Sequence, residues 1–278
     1  IGNVSMPSTQ LSLQMALDVQ EMGMDGVAVT PPYYYPHAQD ELLDHYRYIS
    51  DRSGLPLWVY NIPSTVKTAV TPGTIATLAS EGAVVGVKDS SGAGELLAEL
   101  NVLCEQGNIP LLRFLGTVYR TTCAGSAGVE GVIPAVANLV PRACAQGWEA
   151  GERGDAETVR KCNAQLVTVG KVPQLAQGGG PNAAILSGMK SALKLLGVLD
   201  SDTVSRPLRP LTEPEKEEGF RFFGWFRGDE EPRDAPSPAP SPVGDSAVSD
   251  RVMQGGVELM GQMLGATPAV LAQFFTFL

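Results

Sequence analysis

The sequence predicts an α/β fold built on a parallel sheet, and three observations carry that reading. Short runs rich in β-branched and apolar residues alternate with segments of helical periodicity, at the spacing of βα units joined by right-handed crossovers. The strand-like runs are apolar on both faces, as in a sheet covered by helices. The clearest of them, Val84-Val85-Gly86-Val87-Lys88, ends on a lysine and then on Asp89-Ser90-Ser91-Gly92, which is turn chemistry.

Taken in order, Ile1–Val4 reads as a short strand. Ser8 or Thr9 caps a helix over Gln10–Met22, whose apolar face runs through Leu11, Leu13, Met15 and Val19, and Gly23 stops it. Gly26–Thr30 is a strand. The run Pro31-Pro32-Tyr33-Tyr34-Tyr35-Pro36 that follows continues neither a helix nor a central strand. Asp40–Arg52 is helical, Pro56–Tyr60 a strand, Asn61–Thr65 a loop and Pro72–Ser80 a helix. Val84–Lys88 comes next, then a helix over Gly94–Glu105, a strand over Leu111–Leu115, a helix over Thr117–Ala127 and a strand over Val129–Ile133. Helices alone follow, at Pro141–Gly151, Ala156–Val169 and Pro181–Leu196. Six strands are fewer than the eight of a closed barrel, so spacing by itself leaves both a barrel and an open sheet standing.

Composition shifts beyond Leu211. The reading is one domain over residues 1–215, a disordered linker over 216–249 centred on the Pro-, Ser- and acid-rich run Arg227–Val248, and an amphipathic helix over 250–278. Val252, Leu259, Met260, Met263 and Leu264 would form the apolar side of that helix. Gly255-Gly256, Pro268 and the glutamines speak against a membrane span.

A formal charge of −10 argues against a nucleic-acid surface, which needs clustered Lys and Arg. Cys104, Cys123, Cys144 and Cys162 are scattered, with no Cys-x-x-Cys pair, and only His37 and His45 are available. A metal site is therefore not expected, and the cysteines read as reduced core residues of a cytoplasmic protein. Ile1-Gly2-Asn3-Val4 resembles neither an initiation site nor a signal sequence, which suggests a start within a longer reading frame.

A lysine at the C-terminal end of a buried strand sits where α/β folds carry their active sites. Burial there favours the neutral amine, which can attack a ketone carbonyl. The alternative is a solvated loop lysine. Tyr60 ends its strand at the level where Lys88 ends the next, and a phenol beside such an amine can move the protons that imine formation requires. Tyr33-Tyr34-Tyr35, between prolines, makes an aromatic loop at the same rim and equally suits an oligomer contact. Gly178-Gly179-Gly180 lacks the Lys-Ser/Thr of a phosphate loop, and Gly125-Ser126-Ala127-Gly128 does not match a nucleophile elbow.

Pro31-Pro32-Tyr33-Tyr34, Tyr60-Asn61-Ile62-Pro63 and Gly86-Val87-Lys88-Asp89-Ser90-Ser91-Gly92 together resemble the dihydrodipicolinate synthase / N-acetylneuraminate lyase family. Gly128–Pro141, Lys190-Ser191-Ala192-Leu193 and Arg206-Pro207-Leu208 extend the likeness over about residues 1 to 215, in the family's order. The resemblance implies a (β/α)8 TIM barrel, here without its first two strands, that makes or breaks a carbon–carbon bond of a 2-keto acid through a Schiff base. It matches Lys88 to the imine-forming lysine and Tyr60 to the proton-shuttling tyrosine. Tyr34 matches the tyrosine that reaches a neighbouring subunit's site, and Gly116 and Ile133 match positions whose backbone lines the keto-acid pocket. It further implies no metal or organic cofactor, a 2-keto acid and an aldehyde as partners, no nucleic acid or membrane, and a homo-oligomer, a tetramer in much of the family.

Some features depart from the family. The Gly-Thr-Thr segment that grips the keto-acid carboxylate has no counterpart, and Ile1 matches the start of the third strand. Thr65 stands where dihydrodipicolinate synthases carry an arginine for a second carboxylate, and Thr117-Val118 replaces a polar or acidic pair. The expected function is a pyruvate-type lyase of the 2-keto-3-deoxygluconate aldolase kind. The alternatives are a 4-hydroxy-tetrahydrodipicolinate synthase and a catalytically silent family member. An open six-stranded sheet would also leave two edges and part of its core exposed.

Overall fold

A computed structural model describes residues 1–92 and 94–227, which fall into two compact units, one over residues 1–170 and one from Lys171 onward. The first unit alternates strand and helix as β1 Gly2–Asn3, α1 Thr9–Glu21, β2 Val27–Val29, α2 Gln39–Ser53, β3 Leu57–Asn61, α3 Pro63–Val66, α4 Pro72–Ser80, β4 Gly86–Asp89, α5 Glu95–Gly107, β5 Leu112–Leu115 and β6 Gly131–Val132, followed by α6 Pro141–Arg153 and α7 Ala156–Val169. All strand pairs are parallel, and the six strands lie in sequence order, β1-β2-β3-β4-β5-β6. A doubly wound sheet would reverse direction part-way across. Sequence order throughout is the arrangement of a TIM barrel.

The two faces of the sheet differ. Toward the helices, Val27, Val29, Leu57, Val59, Val87 and Leu115 are all buried, in one core with Leu42, Ile49, Ile75, Leu78 and Leu100. On the other face, Ala28, Trp58, Tyr60, Lys88 and Phe114 are only partly buried and Leu112 is 45% exposed. Alternation along each strand produces this division, since residues i and i+2 share a face.

Asn61 and Asp89 end β3 and β4 on the helix-facing side, and they are register partners, both 0% exposed. The Asn61 amide donates to Asp89 Oδ1 at 2.8 Å, while its Oδ1 accepts the Val70 N–H at 3.1 Å. Ser91 gives Asp89 two further bonds, from its N–H at 3.1 Å and its hydroxyl at 2.9 Å. The buried carboxylate is thus satisfied wholly by local donors, which is what makes its burial tolerable.

Several details differ from the sequence reading. Thr117–Ala127 is not an α-helix but two 3-10 turns, Val118–Cys123 and Gly125–Ala127. Thr117, Val118, Thr121 and Thr122 restrict χ1, and Gly125 adds backbone freedom, so the α-helix is disfavoured there. The loop after Asn61 contains the single turn α3. Cys104, Cys144 and Cys162 are buried as expected, whereas Cys123 is exposed; none of the four is in a disulfide.

The second unit holds a 3-10 turn at Val172–Leu175 and the helices α8 Pro181–Leu195 and α9 Glu213–Arg227. α9 crosses position 216, so the first part of the segment read as linker is helical. Its start is set by Glu215, 2% exposed, which accepts the Thr212 N–H at 2.7 Å and the Gln177 N–H at 2.6 Å and pairs with Arg209 at 2.9 Å. Burial pushes the Glu215 carboxyl up, but Arg209 and these N–H donors outweigh it and bring it down to about 2. The rest of the linker and the amphipathic segment over 250–278 lie outside the described residues.

Truncating Asn61 to alanine strands the Val70 N–H and removes one donor from the buried Asp89 carboxylate. The expected loss of stability is about 2–4 kcal/mol, since unsatisfied buried groups each cost about 1–3 kcal/mol. Urea unfolding measures it. A loss below about 0.5 kcal/mol, typical of exposed positions such as Thr65, would contradict the role assigned to the pair.

Candidate active site

Tyr60 and Lys88 are register partners on β3 and β4, on the partly exposed face of the sheet. The Lys88 Nζ lies 4.5 Å from the centre of the Tyr60 ring. On the other side, Lys88 is in register with Phe114 of β5, and Phe114 meets Trp58 edge-on at 5.2 Å between ring centres. Gly86 and Gly131 make room for these rings: a Cβ at Gly86 would lie 2.3 Å from the Trp58 ring, and one at Gly131 would lie 2.7 Å from Phe114. Tyr60 thus lies against the lysine, Phe114 is its register partner on the other side, and Trp58 packs on Phe114.

That setting has an electrostatic consequence. Burial lowers the pKa of the Lys88 ammonium to about 8. The Tyr60 ring face attracts the ammonium, but desolvation dominates. At pH 7 roughly one Lys88 in ten is then unprotonated, against fewer than about one in a thousand for an ordinary lysine. Tyr60 moves in the other direction: burial raises its phenol above the usual tyrosine value, partly offset by a hydrogen bond with the Ser90 side chain. A phenol so placed keeps its proton at neutral pH and can donate it.

Gly116 and Ile133 extend the ladder at the same end of the sheet. The Gly116 N–H donates to Asp89 O at 2.7 Å and the Ile133 N–H to Leu115 O at 2.8 Å. A Cβ on residue 116 would sit 2.1 Å from Ser90 Oγ and 3.1 Å from Lys88 Cε, so only glycine admits both side chains in these positions. Ile133, just past β6, is half-buried. Tyr34 is not drawn into this cluster. It is 76% exposed, with its ring edge-on to Tyr35 at 4.8 Å.

The structure adds three residues that sequence reading passed over. Trp58 and Phe114 pack together on the face that carries the lysine, and counting by twos from Tyr60 finds Trp58. In the sequence Ser90 reads as turn chemistry within the family motif Gly86–Gly92 and carries no role of its own. Among the described residues no group of three or more His, Cys, Asp or Glu could hold a metal ion, and no helix is long and apolar enough to cross a membrane.

The model of the dihydrodipicolinate synthetase family matches residues 1–221. A 4-hydroxy-tetrahydrodipicolinate synthase of Geobacter metallireducens is 30% identical over 217 residues, covering 78% of this chain and 71% of that protein. Among solved structures, dihydrodipicolinate synthase from Bacteroides thetaiotaomicron superposes with a TM-score of 0.73 at 26% identity, over 80% of this chain and 73% of that one. Dihydrodipicolinate synthase from Thermotoga maritima gives 0.70 at 27% identity, over 80% and 73%.

The contact between Gly116 and Ser90 can be tested directly. Gly116→Ala should destabilise the protein by about 1–3 kcal/mol, the usual cost of overpacking, and by clearly less in a Ser90→Ala background where the obstructing hydroxyl is gone. Equal losses in the two backgrounds, read by urea unfolding, would contradict the packing described.

Proposed function

The chain belongs to the dihydrodipicolinate synthetase family, and from that premise we propose that it is a Schiff-base-forming carbon–carbon lyase acting on pyruvate or a related 2-keto acid. The observation that carries the reading is the buried Lys88 amine, with its pKa lowered to about 8, in register with Tyr60. The unprotonated Nζ attacks the keto carbon to give a carbinolamine. Tyr60 passes its proton to the departing hydroxyl, water leaves, and a protonated imine remains on Lys88. That imine is an electron sink. The carbon–carbon bond beta to it breaks with its electrons flowing toward nitrogen while the Tyr60 phenolate takes the proton of the hydroxyl on the departing carbon, releasing an aldehyde and leaving an enamine on Lys88. Protonation of the enamine and hydrolysis of the imine return pyruvate and the amine. Condensation is the same sequence run backwards.

The aldehyde in this proposal is uncharged, of the glyceraldehyde type. Thr65, on α3, is exposed and offers one hydroxyl where a second carboxylate would call for a bidentate arginine. Lys67, the nearest cation in sequence, donates its ammonium to Ser64 O at 2.6 Å. A second reading, 4-hydroxy-tetrahydrodipicolinate synthase, is supported by the name carried by the Geobacter metallireducens relative. The exposed Tyr33-Tyr34-Tyr35 loop suits a homo-oligomeric enzyme in either case, with Tyr34 offered to a neighbouring subunit.

Mass spectrometry after treatment with pyruvate and borohydride tests the chemistry. A single reduced pyruvate adduct is expected, on Lys88, and none in Lys88→Arg, whose guanidinium stays protonated. An adduct on another residue, or none, would overturn the assignment of the Schiff base to Lys88, and none would favour a silent family member. Competition between aldehydes then separates the two enzyme readings. Losing a charge-assisted pair costs about 1.5–3 kcal/mol, or roughly ten- to a hundredfold in rate, so aspartate semialdehyde should be the poorer partner and Thr65→Arg should narrow the gap. A clear preference for aspartate semialdehyde in the unaltered chain would establish the synthase reading.

A further inference from the structure

We propose that Ser90 is a positioning residue for Tyr60: its hydroxyl, held beside Gly116, hydrogen-bonds the phenol and aims the phenol's proton at the oxygen that leaves from the Lys88 adduct. The inference rests on the reading of Lys88 as the imine-forming amine. Three observations support it. The Ser90 N–H donates to Asn61 O at 2.8 Å, which extends the β3–β4 ladder by one residue and sets Ser90 beside the chain just past Tyr60. Lys88 and Ser90 are two residues apart, so the pleat turns both toward the same face while Asp89 between them faces the helices. Finally, the Ser90 hydroxyl occupies the space that a Cβ on residue 116 would fill, 2.1 Å from that position, so Gly116 admits it there.

The two adjacent serines therefore serve opposite sides of the sheet. Ser91 spends its hydroxyl on the buried Asp89 carboxylate at 2.9 Å, and Ser90 spends its own on Tyr60. In the dehydration step the C–O bond of the carbinolamine breaks and the C=N bond forms, with the phenol proton leaving in the water. Tyr60 is then a phenolate in a partly buried site. A hydroxyl donating to its oxygen stabilises that anion and leaves the neutral phenol's O–H pointed outward beforehand. The same bond opposes the rise that burial imposes on the Tyr60 pKa.

The test is the rate of borohydride-trapped adduct formation on Lys88 in the full chain, with pyruvate as the probe. Ser90→Ala should slow it roughly tenfold, the scale of one hydrogen bond to a charged group, and leave the final adduct stoichiometry unchanged. In a Tyr60→Phe background Ser90→Ala should have no further effect, and Ser90→Thr, which keeps the hydroxyl, should recover most of the lost rate. A Ser90→Ala rate equal to the unaltered chain's, or an equal slowing with and without the Tyr60 phenol, overturns the proposal and leaves the Lys88 imine intact. Absence of any Lys88 adduct in the unaltered chain overturns the imine reading, and this proposal with it.

Discussion

Asn61 donates its side-chain amide to the fully buried carboxylate of Asp89 at 2.8 Å, and this bond ties the ends of β3 and β4 together on the helix side of the sheet. Its consequence appears on the other side. In a pleated strand the neighbours of Asn61 and Asp89 must face the opposite way, and those neighbours are Tyr60 and Lys88. A slip of one residue in register would send the lysine toward the helices and the carboxylate into the candidate site. Buried polar bonds contribute only modestly to net stability, yet they penalise every alternative arrangement that leaves them unmade. The Asn61–Asp89 pair therefore selects the register more than it strengthens the sheet.

The reacting face is assembled by what the sheet leaves uncovered. The helix-facing side is packed with valine and leucine and admits no chemistry. The other face carries Trp58, Tyr60, Lys88 and Phe114, partly buried by one another. A lysine in that setting is dry enough to release its proton near neutrality and open enough to be reached by a small molecule. Glycines at 86, 116 and 131 are the geometric counterpart, each standing where a larger side chain would collide with a ring or, at 116, with the Ser90 hydroxyl.

Much of this was legible in the sequence. The alternation of apolar runs with helical segments specified a parallel sheet, and a lysine closing the run Val84–Val87 was conspicuous because charge is costly there. Tyr60 followed from its matching place at the end of the preceding strand. What was not legible depends on contacts between residues distant in the chain. Turn composition alone does not separate the two serines of Asp-Ser-Ser-Gly; only counting by twos from Lys88 past the strand end puts Ser90 on the lysine's face. The helix α9 begins in an acidic segment of low apparent order because Glu215 is buried against Arg209 and the Gln177 N–H, partners that composition cannot reveal. The 3-10 turns after β5 lost out as a helix prediction to four residues restricted at χ1. Tyr34 stood out for its proline-bound aromatic run, but in a single chain it faces solvent.

Burial at the end of β4 makes Lys88 a base of unusual weakness for a lysine. Nuclear magnetic resonance of lysine labelled at the ε-carbon follows each side chain through its titration, with Lys88→Arg assigning the signal. One lysine signal, absent from Lys88→Arg, is expected to titrate at about 8. A Lys88 signal that titrates with the ordinary lysines, near 10.4 or so, would contradict it.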